Sequence, residues 1–153
     1  TEYQLGLSSG TLDTVTESLA KEDQETFLES YQEILMVPSY HDLQKENSYH
    51  MMMLGMCLCL SDNYKVIYNR EECKGRCDLI IQAHDEKKTS FIIEFKYFKE
   101  DKKDFEKALD KLSNEAIQQI KDNKYDYGLK GKVIYIGLAH HDKDVNIKWE
   151  NKI

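Results

Sequence analysis

Asp78, Glu94 and Lys96 are the residues whose types and spacing could carry out a reaction. They lie in two short runs, Gly75-Arg-Cys-Asp-Leu-Ile-Ile81 and Ser90-Phe-Ile-Ile-Glu-Phe-Lys96. Both runs are rich in β-branched and aromatic residues, and the turn-forming Asp85-Glu-Lys-Lys88 lies between them, so they predict two strands. Side chains alternate faces along a strand, which projects Glu94 and Lys96 from one side. A hairpin brings Asp78 next to them. Two carboxylates and an ammonium on one face of a sheet make a hard-cation site with a lysine beside it, the equipment for metal-assisted phosphodiester hydrolysis. A solvated strand face is the bland alternative, since charged residues are usually exposed. Phe91, Ile92, Ile93 and Phe95 argue against it, because they mark a buried central strand where charges are costly unless paired or metal-bound.

The surrounding pattern predicts the elements that must hold these residues. Thr11 to Leu19 and Asp23 to Met36 read as two short amphipathic helices. Asp23 is the N-cap of the second, Glu25 its acidic first turn and Pro38 its stop. Phe27, Leu28, Tyr31, Ile34 and Leu35 fall at helical spacing, the mark of a buried face. A third helix is predicted from about His41 to Leu60, polar in its first turns and apolar on every side from Tyr49 onward, with its methionines filling an irregular core. Strands follow at Tyr64–Asn69, Arg76–Ala83 and Thr89–Tyr97. A fourth helix spans about Asp104 to Asn123, with an apolar stripe of Phe105, Ala108, Leu109, Leu112, Ala116 and Ile120. At 100° per residue Gln119 falls about 40° from Phe105, inside that stripe, and Gln118 faces away. Two strands finish the chain, Lys132–Ala139 and a short one around Val145–Trp149. His140-His141-Asp142 looks like a metal tract but sits at a strand end, where adjacent residues point to opposite faces, and reads better as a loop.

An ordered set of motifs runs through these elements: Glu46-Asn-Ser-Tyr-His50, Asn69-Arg-Glu71, Gly75-Arg-x-Asp78, Ile93-Glu-Phe-Lys96, and Ala116-x-x-Gln-Ile120 followed by Lys124-Tyr125. The set resembles the PD-(D/E)xK nuclease superfamily, over roughly residues 26 to 150. It looks like the branch often attached to AAA-ATPase-like domains. The resemblance implies an α/β restriction-endonuclease-like fold, an αβββαβ core with a central mixed sheet flanked by helices. Residues 1–40 would then be a helical extension and 41–153 the core of one domain. It implies a divalent-metal-dependent nuclease, with DNA the favoured substrate. Asp78 and Glu94 would bind Mg²⁺ or Mn²⁺ with the Phe95 backbone carbonyl, and Glu46 matches the family's extra acid. Lys96 would orient or deprotonate the attacking water and stabilise charge on the phosphate. Gln119 would project toward the active site, which supplies the partner that a glutamine on a buried face needs. Arg70 and Arg76 suit phosphate binding or bracing of the carboxylates, and an ordinary ion pair equally well. Tyr49 and His50 adjoin the site in the resemblance; His50, among apolar neighbours, also reads as a core histidine. Glu71 matches a motif position without a derivable role.

At 153 residues the chain has enough length for one domain with a real core. No apolar run reaches membrane-spanning length. The start, Thr1-Glu-Tyr-Gln, is neither basic nor apolar, unlike a signal peptide, and its lack of an initiator Met suggests a piece of a longer protein. Cys57, Cys59, Cys73 and Cys77 read as reduced cytosolic thiols in the core; Cys57 and Cys59, two apart on a helix, diverge and make a poor zinc pair.

The net charge of −7 counts against a nucleic-acid enzyme. Its distribution softens the objection. Residues 1–62 hold eleven Asp/Glu against Lys21 and Lys45, whereas residues 96–132 hold ten Lys against eight Asp/Glu. The expectation is weak intrinsic affinity for duplex DNA. The acidic helices would face an upstream ATPase domain or a partner subunit, with a dimer left open. A catalytically silent scaffold of the same fold, binding protein or nucleic acid, is the rival from another class. An RNA-directed or zinc-binding module lacks an aromatic-basic signature and a sound ligand cluster.

Overall fold

A computed structural model of the chain describes residues 9–35, 55, 60, 63–71, 76–97, 103–123, 128–141 and 144–152. The chain divides into two compact units, residues 1–62 and 63–153.

In the first unit α1 (Ser9–Ala20) and α2 (Gln24–Leu35) form a helical pair. Asp23 caps α2: the Thr26 backbone N–H donates to its Oδ1 at 3.2 Å. The hydrogen bonds from Thr26, the side-chain one first, hold the Asp23 carboxyl below its usual range. Val15, Leu19, Phe27, Tyr31 and Ile34 are buried, and the rings of Phe27 and Tyr31 stack at 6.1 Å. The helical periodicity of the sequence is therefore the periodicity of burial. The helix expected over His41 to Leu60 lies outside the described residues except for Gly55 and Leu60, both buried.

The second unit is a five-stranded mixed sheet in the order β1 (Tyr64–Glu71), β2 (Arg76–Ala83), β3 (Ser90–Tyr97), β4 (Val133–His141) and β5 (Asp144–Asn151). Neighbours run antiparallel except β3 and β4, which are parallel and joined through α3 (Phe105–Asn123). Parallel strands need such a crossover. The β2–β3 turn is built on Asp85, whose backbone oxygen accepts from the Lys88 N–H and whose Oδ1 accepts from the Lys87 N–H, both at 2.9 Å. Gly131, at φ 76°, comes against this turn; a side chain there would run into the Glu86 carbonyl oxygen.

Strand alternation sorts the sheet into two faces. Leu79, Ile81, Phe91, Ile93, Phe95, Ile134, Ile136 and Leu138 form one, all buried. On the other, Ile80, Ile92, Val133 and Tyr135 pack with Ile117 and Ile120 of α3. The helix comes close against the sheet at Gly137, where a Cβ would sit 2.5 Å from the Ser113 backbone oxygen and 2.9 Å from the Ala116 Cβ. Asn146 donates to the Ser113 hydroxyl at 2.8 Å, and Lys148 pairs with Asp110 at 2.7 Å, so β5 also fastens α3.

Three expectations change. The buried stripe of α3 is Leu109, Ser113, Ala116, Ile117 and Ile120, whereas Phe105, Ala108 and Leu112 are only half-buried. Contact at Gly137 rotates the helix toward its small residues, a preference that hydrophobicity alone does not reveal. Strand β4 continues through His140 and His141, both buried, in place of the expected loop. Strand β5 is likewise longer than Val145–Trp149, because its ladder with β4 runs from His141↔Asp144 to Ile134↔Asn151. No described helix is long and apolar enough to cross a membrane.

Candidate active site

Antiparallel register sets Asp78 directly opposite Glu94. Directly opposed residues hold their Cβ atoms only about 5 Å apart, so the two carboxylates are neighbours on the face that α3 covers. Both are buried, Asp78 at 4% exposure and Glu94 at 0%. The row continues Asp78–Glu94–Gly137–Lys148 across β2 to β5. Lys96 stands two residues beyond Glu94 on the same face, opposite Ala139. The hairpin thus brings together the three residues on which the expected chemistry depends.

Lys96 reaches an open pocket of about 340 Å³ whose other lining residues, Glu115, Gln118, Gln119 and Asp122, all come from α3. Their spacing of three, four and seven residues defines one side of a helix. Gln119 sits on the flank of the buried stripe, half-buried, while Gln118 is exposed and donates to Asp122 Oδ1 at 2.9 Å. Gln119 therefore lines the same pocket as Lys96. Glu115 and Asp122 also line the pocket, two acids that nothing in the residue pattern of a charged helix singles out.

The buried polar atoms bear on what the site could hold. Asp78 Oδ1 and Gln119 Oε1 are buried without a hydrogen-bond partner among the described residues. Buried polar atoms are rarely left so, and a carboxylate oxygen in this state calls for a cation or an ordered water. Two adjacent buried carboxylates fit a divalent ion of the Mg²⁺ type, which takes one or two carboxylates and retains several waters. No group of three or more His, Cys, Asp and Glu side chains gathers into a metal cluster among the described residues.

Phe95 has its ring on the opposite face, 2% exposed, stacked on His140 at 6.0 Å. His140 is fully buried, and burial pushes its imidazole down to about 4, so the ring is neutral near pH 7. His141 points the other way and stacks on Phe105 at 5.7 Å. The two histidines therefore diverge, as their adjacency on a strand requires, and do not form a metal pair.

Arg70 stands opposite Cys77 and Arg76 opposite Glu71 in the β1–β2 ladder. The side chains of these four residues lie outside the described residues, as do Glu46, Tyr49, His50, Cys57, Cys59, Cys73, Lys124 and Tyr125. Gly137 and His140 are the structurally decisive positions that the motif reading missed. A glycine inside an apolar strand is a signal of close backbone approach and could have disclosed the first.

The order of strands around the crossover helix is that of a restriction-endonuclease-like fold. A model of the PD-(D/E)XK nuclease superfamily matches residues 44–150, which span α3, β1 to β4, all but the last residue of β5, and the Asp78, Glu94 and Lys96 positions. No curated protein gives a match. With a family match across more than half of its length and a sheet that sets the acidic pair beside the lysine, the chain belongs to the PD-(D/E)XK nuclease superfamily.

Proposed function

We propose that the protein is a divalent-metal-dependent nuclease that hydrolyses phosphodiester bonds in DNA. The observation that carries this reading is the register pair Asp78↔Glu94: two buried carboxylates side by side, one with an oxygen that no described group hydrogen-bonds, and Lys96 on the same face. Asp78 and Glu94 would hold Mg²⁺ or Mn²⁺, with the Phe95 carbonyl as a further oxygen ligand. Such an ion supplies an activated water and offsets charge on the phosphate. Lys96 orients that water or takes its proton, and its ammonium stabilises the negative charge that builds on the phosphate oxygens. Gln119, half-buried beside Lys96 in the pocket, offers an amide to fix the water or the substrate.

DNA is favoured over RNA because the chain has no aromatic-basic pattern of the kind that stacks and tracks single-stranded RNA. The acidic balance of residues 1–62 leaves few phosphate contacts, so a further domain or subunit, an ATPase module among the candidates, would bring the substrate in. The test is incubation of the purified protein with plasmid, linear duplex and single strands, with Mg²⁺, with Mn²⁺ and with EDTA. Cleavage that needs the metal and vanishes in Asp78→Ala, Glu94→Ala and Lys96→Ala supports the assignment. Cleavage retained in both Glu94→Ala and Lys96→Ala would sink it.

A further inference from the structure

The end of β4 places an imidazole behind the site. His140 is 0% exposed and stands opposite Tyr97 in the parallel β3–β4 ladder. Its ring lies 6.0 Å from that of Phe95 with the planes only 6° apart, and its Nδ1 lies 2.9 Å from the Lys96 carbonyl oxygen. A carbonyl can only accept, so Nδ1 carries the proton and donates it. Both contacts fall on consecutive residues of β3, and the second of these carries the ammonium.

The placement has a mechanical meaning. The Lys96 carbonyl belongs to the peptide that joins Lys96 to Tyr97, the last residue of β3. A donor anchored in the neighbouring strand fixes the plane of that peptide, and the plane fixes the direction in which Lys96 leaves the backbone. Lysine is a point charge on a flexible stem, so the placement of its head depends on how firmly its base is held. The stacked Phe95 ring restrains the preceding residue from the same side. The histidine lies on the face of the sheet opposite the carboxylates.

We propose that His140 is a positioning residue for the hydrolytic step, holding the Phe95–Lys96 stretch of β3 from the face opposite Asp78 and Glu94. The inference rests on the reading of Asp78, Glu94 and Lys96 as the reacting set.

Two substitutions separate its two contacts. In His140→Phe the stacked ring stays and the donor is lost; in His140→Asn the amide stands near Nδ1 and the donor stays. Single-turnover cleavage of a linear duplex is measured with Mn²⁺, and duplex binding by anisotropy with Ca²⁺, at a temperature where circular dichroism shows all proteins folded. His140→Phe is expected to lower the cleavage rate about 10- to 100-fold with duplex affinity unchanged, the size of effect that an ångström of misplacement produces. His140→Asn should recover most of the rate. A merely structural histidine would shift melting temperature in both variants and leave the rate of the folded protein untouched, and that result overturns the proposal. Nitrogen-15 spectra of the unaltered protein supply a check that needs no variant: the His140 proton must be on Nδ1, and a proton on Nε2 alone overturns the proposal too. An unaltered protein that cuts with neither Mn²⁺ nor Mg²⁺ overturns the nuclease reading and this inference with it, a result distinct from normal cleavage by His140→Phe.

Discussion

Two rows of side chains, two residues apart on the same face of the same strands, have opposite characters. In one, Ile80, Ile92 and Tyr135 stand side by side and α3 closes over them with Ile117 and Ile120. In the other, Asp78, Glu94 and Gly137 stand side by side. Both rows are buried, but only the apolar one can be satisfied by packing alone. The glycine that ends the charged triplet removes the side chain that would fill the space, and the α3 backbone descends into it at Ser113. The first row stabilises the unit. The second costs stability in proportion to the charge it buries, and that cost is the physical sign of a site. Their nearness teaches that the apolar row serves as the rigid mount for the charged one.

The comparison can be broken most decisively at the charged row. Lys96→Ala should lower cleavage by about 10²–10⁴-fold, the usual contribution of a proton-transfer group. Asp78→Asn should remove cleavage and Mn²⁺ binding by calorimetry, while the metal-free protein melts at the same temperature or higher, because a buried charge has gone. A large fall in melting temperature for Asp78→Asn would mean that the carboxylate is a structural partner and not a ligand.

The apolar row should respond the other way. Ile92→Ala, at a fully buried position, is expected to cost about 2–5 kcal/mol in urea unfolding, with the folded fraction still able to cut. A smaller loss would show that the row is loosely packed and a poor mount.

His140 links stability to pH with a defined sign. Its folded value is about 4 against an ordinary 6.5. Above about pH 6.5 the ring is neutral in both states and folding moves no proton. As pH falls from there toward 4, only the unfolded chain takes up the proton, so stability is progressively lost, by about 3 kcal/mol at most. The difference in unfolding free energy between the protein and His140→Asn, followed over this window, isolates the contribution from that of the carboxylates. A difference that does not change with pH would contradict the burial of a neutral ring.

Gly137→Ala sharpens the boundary between the rows. Its Cβ would press on the Ser113 backbone, which cannot yield as a side-chain end can, so α3 must lift. A loss of about 1–3 kcal/mol is expected, together with reduced cleavage as Gln119 moves from Lys96. Unchanged activity would free the site from dependence on the seating of the helix. The least effect is expected at the half-exposed Lys148–Asp110 pair, where Asp110→Ala should cost less than about 1 kcal/mol and shrink further with salt.

Much of this architecture was already readable from residue order. The β-branched runs and the Asp85 turn specify the β2–β3 hairpin, and its alternation puts Glu94 and Lys96 on one face because side chains on a strand have a period of two. The cap at Asp23 and the apolar spacing of α2 are equally local signals. The charged motif could be singled out because carboxylates inside an apolar strand contradict the simplest use of such a strand. What the residues could not specify was every feature set by a partner distant in the chain. The opposition of Asp78 and Glu94 depends on a register chosen by the whole ladder. The rotation of α3 toward Ser113 and Ile117 depends on the gap at Gly137, distant from both in the chain. The buried setting of His140 comes from the continuation of β4 against β3 and β5, which turned an apparent polar loop into a strand end behind the lysine. Local propensity acts over a few residues, whereas register, helix rotation and burial are decided by packing between segments, and so they emerged only when the sheet was assembled.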